Sequence, residues 1–203
     1  MKPPIKLILS AVMVMAFTAM TAYADVITVT GSTQGNFDGG PTSIHPTIGN
    51  LLTALEFQGQ GFSTPVTTGL PPVQVTVGSF DLRTLRNFDF NGHTFNLVVN
   101  FTAPPGAPGG PQTFTATLSG IITVLNGSEA IAIDFDNIPQ AFGYTGGIFN
   151  FSVNDIPTLN EQSAFVDLTA NVSATATPEP LSMLLLGSGL AGLGVKLRKR
   201  RSS

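Results

Sequence analysis

Oxygen-bearing side chains are the first candidates for chemistry in this sequence. The tetrapeptide "DFDN" sets Asp134, Asp136 and Asn137 within four residues, and carboxylate and amide oxygens are what calcium takes as ligands. Asn154 and Asp155 in "SVNDIP" join that cluster if two strands lie side by side. A second stretch, "NFDFNG" from Asn87 to Gly92, fits Asn-x-Asp-x-Asn-Gly, the opening of a calcium loop, but its twelfth position is Val98 rather than Glu. Solvated acidic residues at strand ends account for both stretches without a metal. That plainer reading is the expectation, with calcium as the alternative and no cofactor otherwise implied.

Catalytic sets are harder to assemble. Glycosidases use paired carboxylates, and Glu56, Glu129 and Glu161 are available, but sequence spacing brings no two of them together. His93 follows an Asn-Gly turn and His45 lies in a Pro-flanked loop, positions that suit a hairpin edge and a surface loop. No Gly-x-Ser-x-Gly elbow, His-Glu-x-x-His helix or Gly-rich phosphate loop is present. The absence of cysteine removes thiol catalysis, disulfides, cysteine–zinc sites and lipid attachment through cysteine. The expectation is a protein that is not an enzyme. Sugar recognition commonly stacks an aromatic ring on a pyranose face; beyond residue 24 there is no tryptophan and one tyrosine, Tyr144 in "FGYTGG", which is the candidate ligand contact.

The elements that must position these residues read as strands. "TFNLVVNFT" (94–102) puts Phe95, Leu97, Val99 and Phe101 on one face and polar residues on the other, the period-two pattern of a half-buried strand. "TFTATLS" repeats it, as do "VQVTV" (73–77), "IFNFSV" (148–153) and "FVDLTANVS" (165–173), with "ITVT" (27–30) and "EAIAIDF" (129–135) as further candidates. Asn91-Gly92 is a strong hairpin signal between "LRNFDF" and "HTFNLVV", and Asn126-Gly127 marks another turn. Only "IGNLLTALEF" (48–57) has spacing that suits a short helix. The stretches "GNFDGGPTSIHP" and "APPGAPGGP" read as loops, and "NVSATATPEP" as an exposed stalk. About nine strands without crossover helices predict an all-β fold, an antiparallel β-sandwich of jelly-roll-like kind, over residues 25–173.

Charge is distributed unevenly along the 203 residues. Residues 25–177 hold two arginines, Arg83 and Arg86, against eleven acidic residues, a formal charge of −9. Such a body repels phosphate backbones, so nucleic acid is not an expected partner. The basic residues gather at the ends. Lys2 and Lys6 precede an apolar run from Leu7 to Met20, and Ala22-Tyr23-Ala24 supplies small residues at −3 and −1, the layout of a signal peptide spanning 1–24 and cut after Ala24. An N-terminal anchor is the alternative, and the short core and small-x-small site favour cleavage.

At the other end, Leu181 to Val195 is an uncharged run of 15 residues. As a helix it spans about 22 Å, short of the ~30 Å hydrocarbon core unless Lys196 and Arg198 snorkel. The basic tail 196–201 stays in the cytoplasm by the positive-inside rule, leaving everything before Leu181 outside. The segment 174–203 therefore reads as a linker followed by a transmembrane helix over 181–197 that touches the inner membrane transiently. Pro178-Glu179-Pro180 just ahead of it keeps the backbone extended.

This order of Pro178-Glu179-Pro180, a glycine-punctuated apolar helix, and Lys196, Arg198, Lys199, Arg200 and Arg201 resembles the PEP-CTERM sorting signal of Gram-negative bacteria. The resemblance covers residues 177–201. It implies recognition and cleavage by an exosortase, an integral-membrane protease. A membrane-anchored precursor would then pass to the cell surface or the extracellular space, often in an exopolysaccharide setting. The Gram-positive sortase motif Leu-Pro-x-Thr-Gly is absent. The expected function is an exported surface or extracellular-matrix protein, a structural or binding module associated with exopolysaccharide. The alternatives are a secreted polysaccharide-acting hydrolase and a calcium-stabilised adhesion module.

Overall fold

The structure is a computed structural model that describes residues 25–44, 55–83, 87–122, 130–160 and 165–177, together with Gly187, Gly189 and Leu190. The expected signal peptide, the basic tail and nearly all of the expected helix 181–197 lie outside these residues. No helix among the described residues is long and apolar enough to cross a membrane.

Among the described residues, alternation of apolar and polar side chains builds two antiparallel sheets of six strands each. The first contains β1 (Val26–Phe37), β4 (Gly61–Thr67), β7 (Thr94–Ala103), β8 (Gln112–Ser119), β10 (Ile131–Phe135) and β13 (Ile156–Leu159), in the order β13-β10-β8-β7-β1-β4. The second contains β2 (Ser43–Ile44), β3 (Leu55–Gly59), β5 (Val73–Leu82), β11 (Gln140–Tyr144), β12 (Gly147–Val153) and β14 (Phe165–Ala176), in the order β11-β12-β14-β5-β3-β2. A small two-stranded sheet pairs β6 (Phe88–Asp89) with β9 (Ile121–Ile122). All pairings are antiparallel, as a sequence without crossover helices requires.

The inward residues of both sheets form one core cluster. Phenylalanine dominates it and joins the layers: the rings of Phe62 and Phe114 meet Phe151, Phe101 meets Phe149 and Phe142, and Phe95 meets Phe57 and Phe80, with centroids 4.9 to 5.9 Å apart. Tilted and edge-to-face pairs of this kind add about 0.5–1.5 kcal/mol each beyond area burial. The inward face of β1 is narrow where these rings are wide. A Cβ at Gly35 would stand within 3.0 Å of the Phe57 and Phe95 rings, so only glycine admits both. The chain turns from the second sheet to the first at Gln60, and the buried Thr33 hydroxyl ties that corner. It donates to the Val77 carbonyl and accepts from the Gln60 amide at 3.0 Å.

Several sequence expectations change here. Leu55, Glu56 and Phe57, the end of the predicted helix 48–57, are strand β3, because cross-strand pairing with Leu82, Asp81 and Phe80 outweighs local helical spacing. Asn91-Gly92 does not join a hairpin: β6 pairs with β9, and only Gly92 has positive φ. The type I′ hairpin turn that Asn-Gly favours needs positive φ at both positions. Gly35 to Phe37, read as loop, complete β1. The predicted stalk is largely strand: β14 continues to Ala176, past the expected boundary at 173, with Val172 and Ala174 buried. The Asn126-Gly127 turn lies outside the described residues.

Candidate functional site

Strand direction divides the molecule into two poles. At one lie Asp25 and Thr177. The Asp25 amide donates to Thr68 Oγ1 and the Asp25 carbonyl accepts from the Thr68 amide, while the Thr177 amide donates to the Gly146 carbonyl at 3.0 Å. Tyr144 stands at this pole, at the end of β11, half-buried against the core cluster with its ring 6.4 Å from Phe149. Burial pushes its phenol pKa up, and the Asp25 carboxylate adds to the effect. The residue chosen from sequence as a ligand contact therefore packs beside the chain's exit.

The opposite pole gathers Asp38, Glu56, Asp81, Arg83, Asp89 and His93. Phe165, Asp81, Glu56 and Ser43 form one cross-strand row on the outer face of the second sheet, each opposite the next. Phe165 is 63% exposed, whereas Asp81 is only 2% exposed. One Asp81 oxygen, Oδ2, lies 2.6 Å from the exposed Arg83 guanidinium. Asp81 and Glu56 together hold the Arg83 guanidinium pKa above its usual value, the Asp81 contact being the larger cause. Sequence spacing missed Asp81 as the carboxylate facing Glu56. It also missed Phe165, although a signal existed: the buried positions of "FVDLTANVSA" are Leu168, Ala170, Val172 and Ala174, and Phe165 falls on the opposite parity. Glu129, Glu161 and His45 lie outside the described residues.

His93 pairs with Asp38 through Nδ1 and Oδ2 at 2.7 Å and stacks on Phe88. Asp38 also accepts from the Thr94 amide at 2.9 Å. That bond, ahead of the His93 contacts, lowers the Asp38 carboxyl pKa against an opposing contribution from burial. The "NFDFNG" oxygens are similarly occupied. Asp89 Oδ1 accepts from the Asn91 backbone and side-chain amides, and Asn91 Oδ1 accepts from the Gly120 amide.

Of "SVNDIP", Asp155 meets the "DFDN" cluster, whereas Asn154 turns to β14, donating to Thr169 Oγ1 at 2.9 Å and accepting from the Asn171 side-chain amide at 2.6 Å. Asp155 Oδ1 accepts from the Phe135 amide at 2.8 Å and Oδ2 from the Asn137 side-chain amide at 2.6 Å, and Asp136 Oδ1 accepts from the Ile138 amide at 3.2 Å. Asp134 is exposed at the end of β10. These oxygens serve N–H donors around Asn137, whose φ of 53° turns the chain out of β10. Among the described residues no three His, Cys, Asp or Glu side chains gather as a metal cage.

The outer face of the first sheet contrasts with the far pole. Along β1 it shows Thr28, Thr30, Ser32, Gln34 and Asn36, and along β8 Thr113, Thr115 and Thr117. Asn96, Val98 and Asn100 of β7 lie between them, and Ser63 and Pro65 of β4 flank them. Hydrogen bonds knit the surface: Thr30 to Ser63 at 3.1 Å, Asn96 to Asn36 at 3.3 Å, and Thr115 to Asn96 at 2.8 Å. From β4 to β8, between the rows of Thr28 and Thr115, no outward side chain is ionisable.

The expected signal-peptidase residues Ala22 and Ala24 lie outside the described residues, as do Pro178, Glu179, Pro180 and the basic tail Lys196, Arg198, Lys199, Arg200 and Arg201. Comparison with known families covers the C-terminal set. Residues 176–201 match the family model of the PEP-CTERM protein-sorting motif, and the rest of the chain matches no family. No curated protein and no solved structure matches the chain. The motif marks an exported protein that an exosortase processes and sorts to the cell surface. Its first residue, Ala176, is also the last residue of β14.

Proposed function

We propose that this chain is a non-enzymatic surface or matrix module that associates with extracellular polysaccharide through the outer face of its first sheet. The observation that carries the reading is the absence of ionisable side chains across four adjacent strands of that face, β4, β1, β7 and β8. These strands span about 14 Å at the usual inter-strand spacing. In a body of formal charge −9, a face of hydroxyls and carboxamides without charge suits a ligand that is itself neutral and rich in hydroxyls. Each threonine, serine, asparagine and glutamine offers both donors and acceptors, as sugar hydroxyls do.

The test is retention of the secreted chain on an insoluble neutral glucan and on exopolysaccharide from the host. Retention should be insensitive to salt, because screening acts on charges. Gln34→Lys and Thr115→Lys together should weaken it without altering the circular dichroism spectrum. Absence of retention, or retention that collapses in high salt, overturns the proposal. The hydrolase reading has one observation in its favour, Glu56 directly opposite Asp81. Release of reducing ends that Glu56→Gln abolishes would establish it.

A further inference from the structure

The geometry points to the pole bearing Asp25 and Thr177 as a surface that rests on the lipid bilayer while the precursor awaits processing. The inference takes residues 181–195 as membrane-inserted, the expectation set out from the sequence. Backbone hydrogen bonds hold the chain in the fold as far as Thr177, where its amide is bound to Gly146. From Thr177 to Leu181 is four residues, which fully extended reach at most about 14 Å. Headgroups occupy about 5–8 Å of that span on each side of the hydrocarbon core. The pole is left within roughly one side-chain length of the membrane surface, with almost no slack to swing away.

The pole's composition fits that position. Among the described residues from 25 to 177, seven large apolar side chains are exposed, and four of them, Val26, Leu70, Val73 and Ile148, lie here. Val26 opens β1 beside Thr67, Leu70 caps the turn after β4, Val73 opens β5, and Ile148 pairs with Thr175. Ionisable charge at this pole, among the described residues, is confined to Asp25 and the weakly acidic Tyr144. Cleavage after Ala24 would give Asp25 an α-ammonium group that offsets its carboxylate. The remaining described acidic residues lie elsewhere. Asp38, Glu56, Asp81 and Asp89 occupy the far pole, and Asp134, Asp136, Asp155 and Asp167 the middle and far half of the strands. An anionic leaflet repels acidic groups, so the charge distribution favours the same orientation as the tether. Isolated exposed apolar residues are ordinary on protein surfaces. Four around the exit of a membrane-bound tail, with acids directed away, make a docking rim.

The experiment uses the signal-cleaved precursor, residues 25–203, reconstituted in phosphatidylethanolamine/phosphatidylglycerol vesicles. The chain has no cysteine, so Leu70→Cys, Ile148→Cys and Phe165→Cys each give a single site for an environment-sensitive fluorophore. Labels at positions 70 and 148 should be quenched several-fold more by lipid-borne quenchers than the label at 165, at any phosphatidylglycerol content. Vesicle flotation with all three labels equally unquenched overturns the docking surface while leaving the tail membrane-bound. Failure to float overturns the membrane reading of 181–195 and the docking surface with it. Quenching at 70 and 148 that appears only when exosortase is co-reconstituted assigns the pole to the enzyme and also overturns the proposal. None of these outcomes bears on polysaccharide retention, which reads the face of the first sheet.

Discussion

The amide of Thr177 donates to the carbonyl of Gly146 at 3.0 Å, one residue before Pro178. The sorting motif therefore starts inside the fold, and the segment that resembled a stalk contributes to stability. Ala174 is buried, Ala174 to Ala176 pair with β12, and the Ala174 carbonyl accepts from the Gly69 amide. Ending the chain at Ser173 removes several backbone hydrogen bonds worth about 0.5–1.5 kcal/mol each, a loss of about 3 kcal/mol. The melting temperature of residues 25–173 should fall by roughly 10 °C below that of 25–177. Equal melting temperatures would return residues 174–177 to a stalk.

Thr33 should prove sensitive out of proportion to its size. Its hydroxyl accepts from the Gln60 amide and donates to the Val77 carbonyl where the chain crosses between sheets. Thr33→Val keeps the shape and leaves two backbone groups without that partner at a site where Thr33 is only 4% exposed. The expected cost is about 1–3 kcal/mol in denaturant unfolding, with Thr33→Ser retaining most of the stability. If the serine and valine variants lose stability equally, methyl packing and not the hydroxyl holds the corner.

Gly35 lies under two rings, and its substitution tests how rigid the phenylalanine core is. An added methyl would overlap Phe57 and Phe95, and overpacking of this kind costs about 1–3 kcal/mol. Gly35→Ala should lower the unfolding midpoint, and Gly35→Ala with Phe57→Leu should recover part of the loss. Failure of the double variant to recover would place the strain in the backbone.

Long alternating strands were legible in the sequence because Phe95 to Phe101, Phe114 to Leu118 and Phe149 to Val153 each satisfy period two without interruption. The strands that escaped notice break that pattern. β4 carries Gly61 and Pro65 and directs a buried threonine, Thr64, inward; β13 carries Pro157; β11 is short and contains Gly143. Proline survives in β4 and β13 because both are edges of their sheet. Of the candidate site, the oxygens of "DFDN" and "SVNDIP" were legible as neighbours, but their use was not: whether an oxygen meets an N–H or a cation depends on the turn at Asn137. The row Phe165–Asp81–Glu56 joins three distant segments and follows from pairing register, which local spacing does not contain.

Calcium offers a direct test of that acidic turn. Asp155 already accepts from the Phe135 and Asn137 amides, so a cation would have to displace donors before gaining its ligands. Millimolar calcium should leave the melting temperature within about a degree of its value in chelator. A ligand present at 100 times its Kd stabilises the native state by about 2.7 kcal/mol, so a real site would raise the melting temperature by several degrees. A rise of that size, abolished by Asp155→Asn, would establish the calcium-stabilised adhesion module instead.

Acid should weaken the far pole through Asp38. The Thr94 amide, and after it the His93 contacts, hold the Asp38 carboxyl pKa below its ordinary value. A depressed folded-state pKa means that the native state favours the ionised carboxylate more than the unfolded chain does. The stabilisation is therefore present in full above the unfolded value of about 3.9. It disappears as pH falls through the lower folded value. Asp38→Asn keeps an acceptor for the Thr94 amide but removes the charge. The variant should melt below the parent at pH 7, and the gap should close on acidification below about pH 4. If the gap is unchanged between pH 7 and pH 3, the carboxylate contributes only as a hydrogen-bond acceptor and its charge is incidental to the turn.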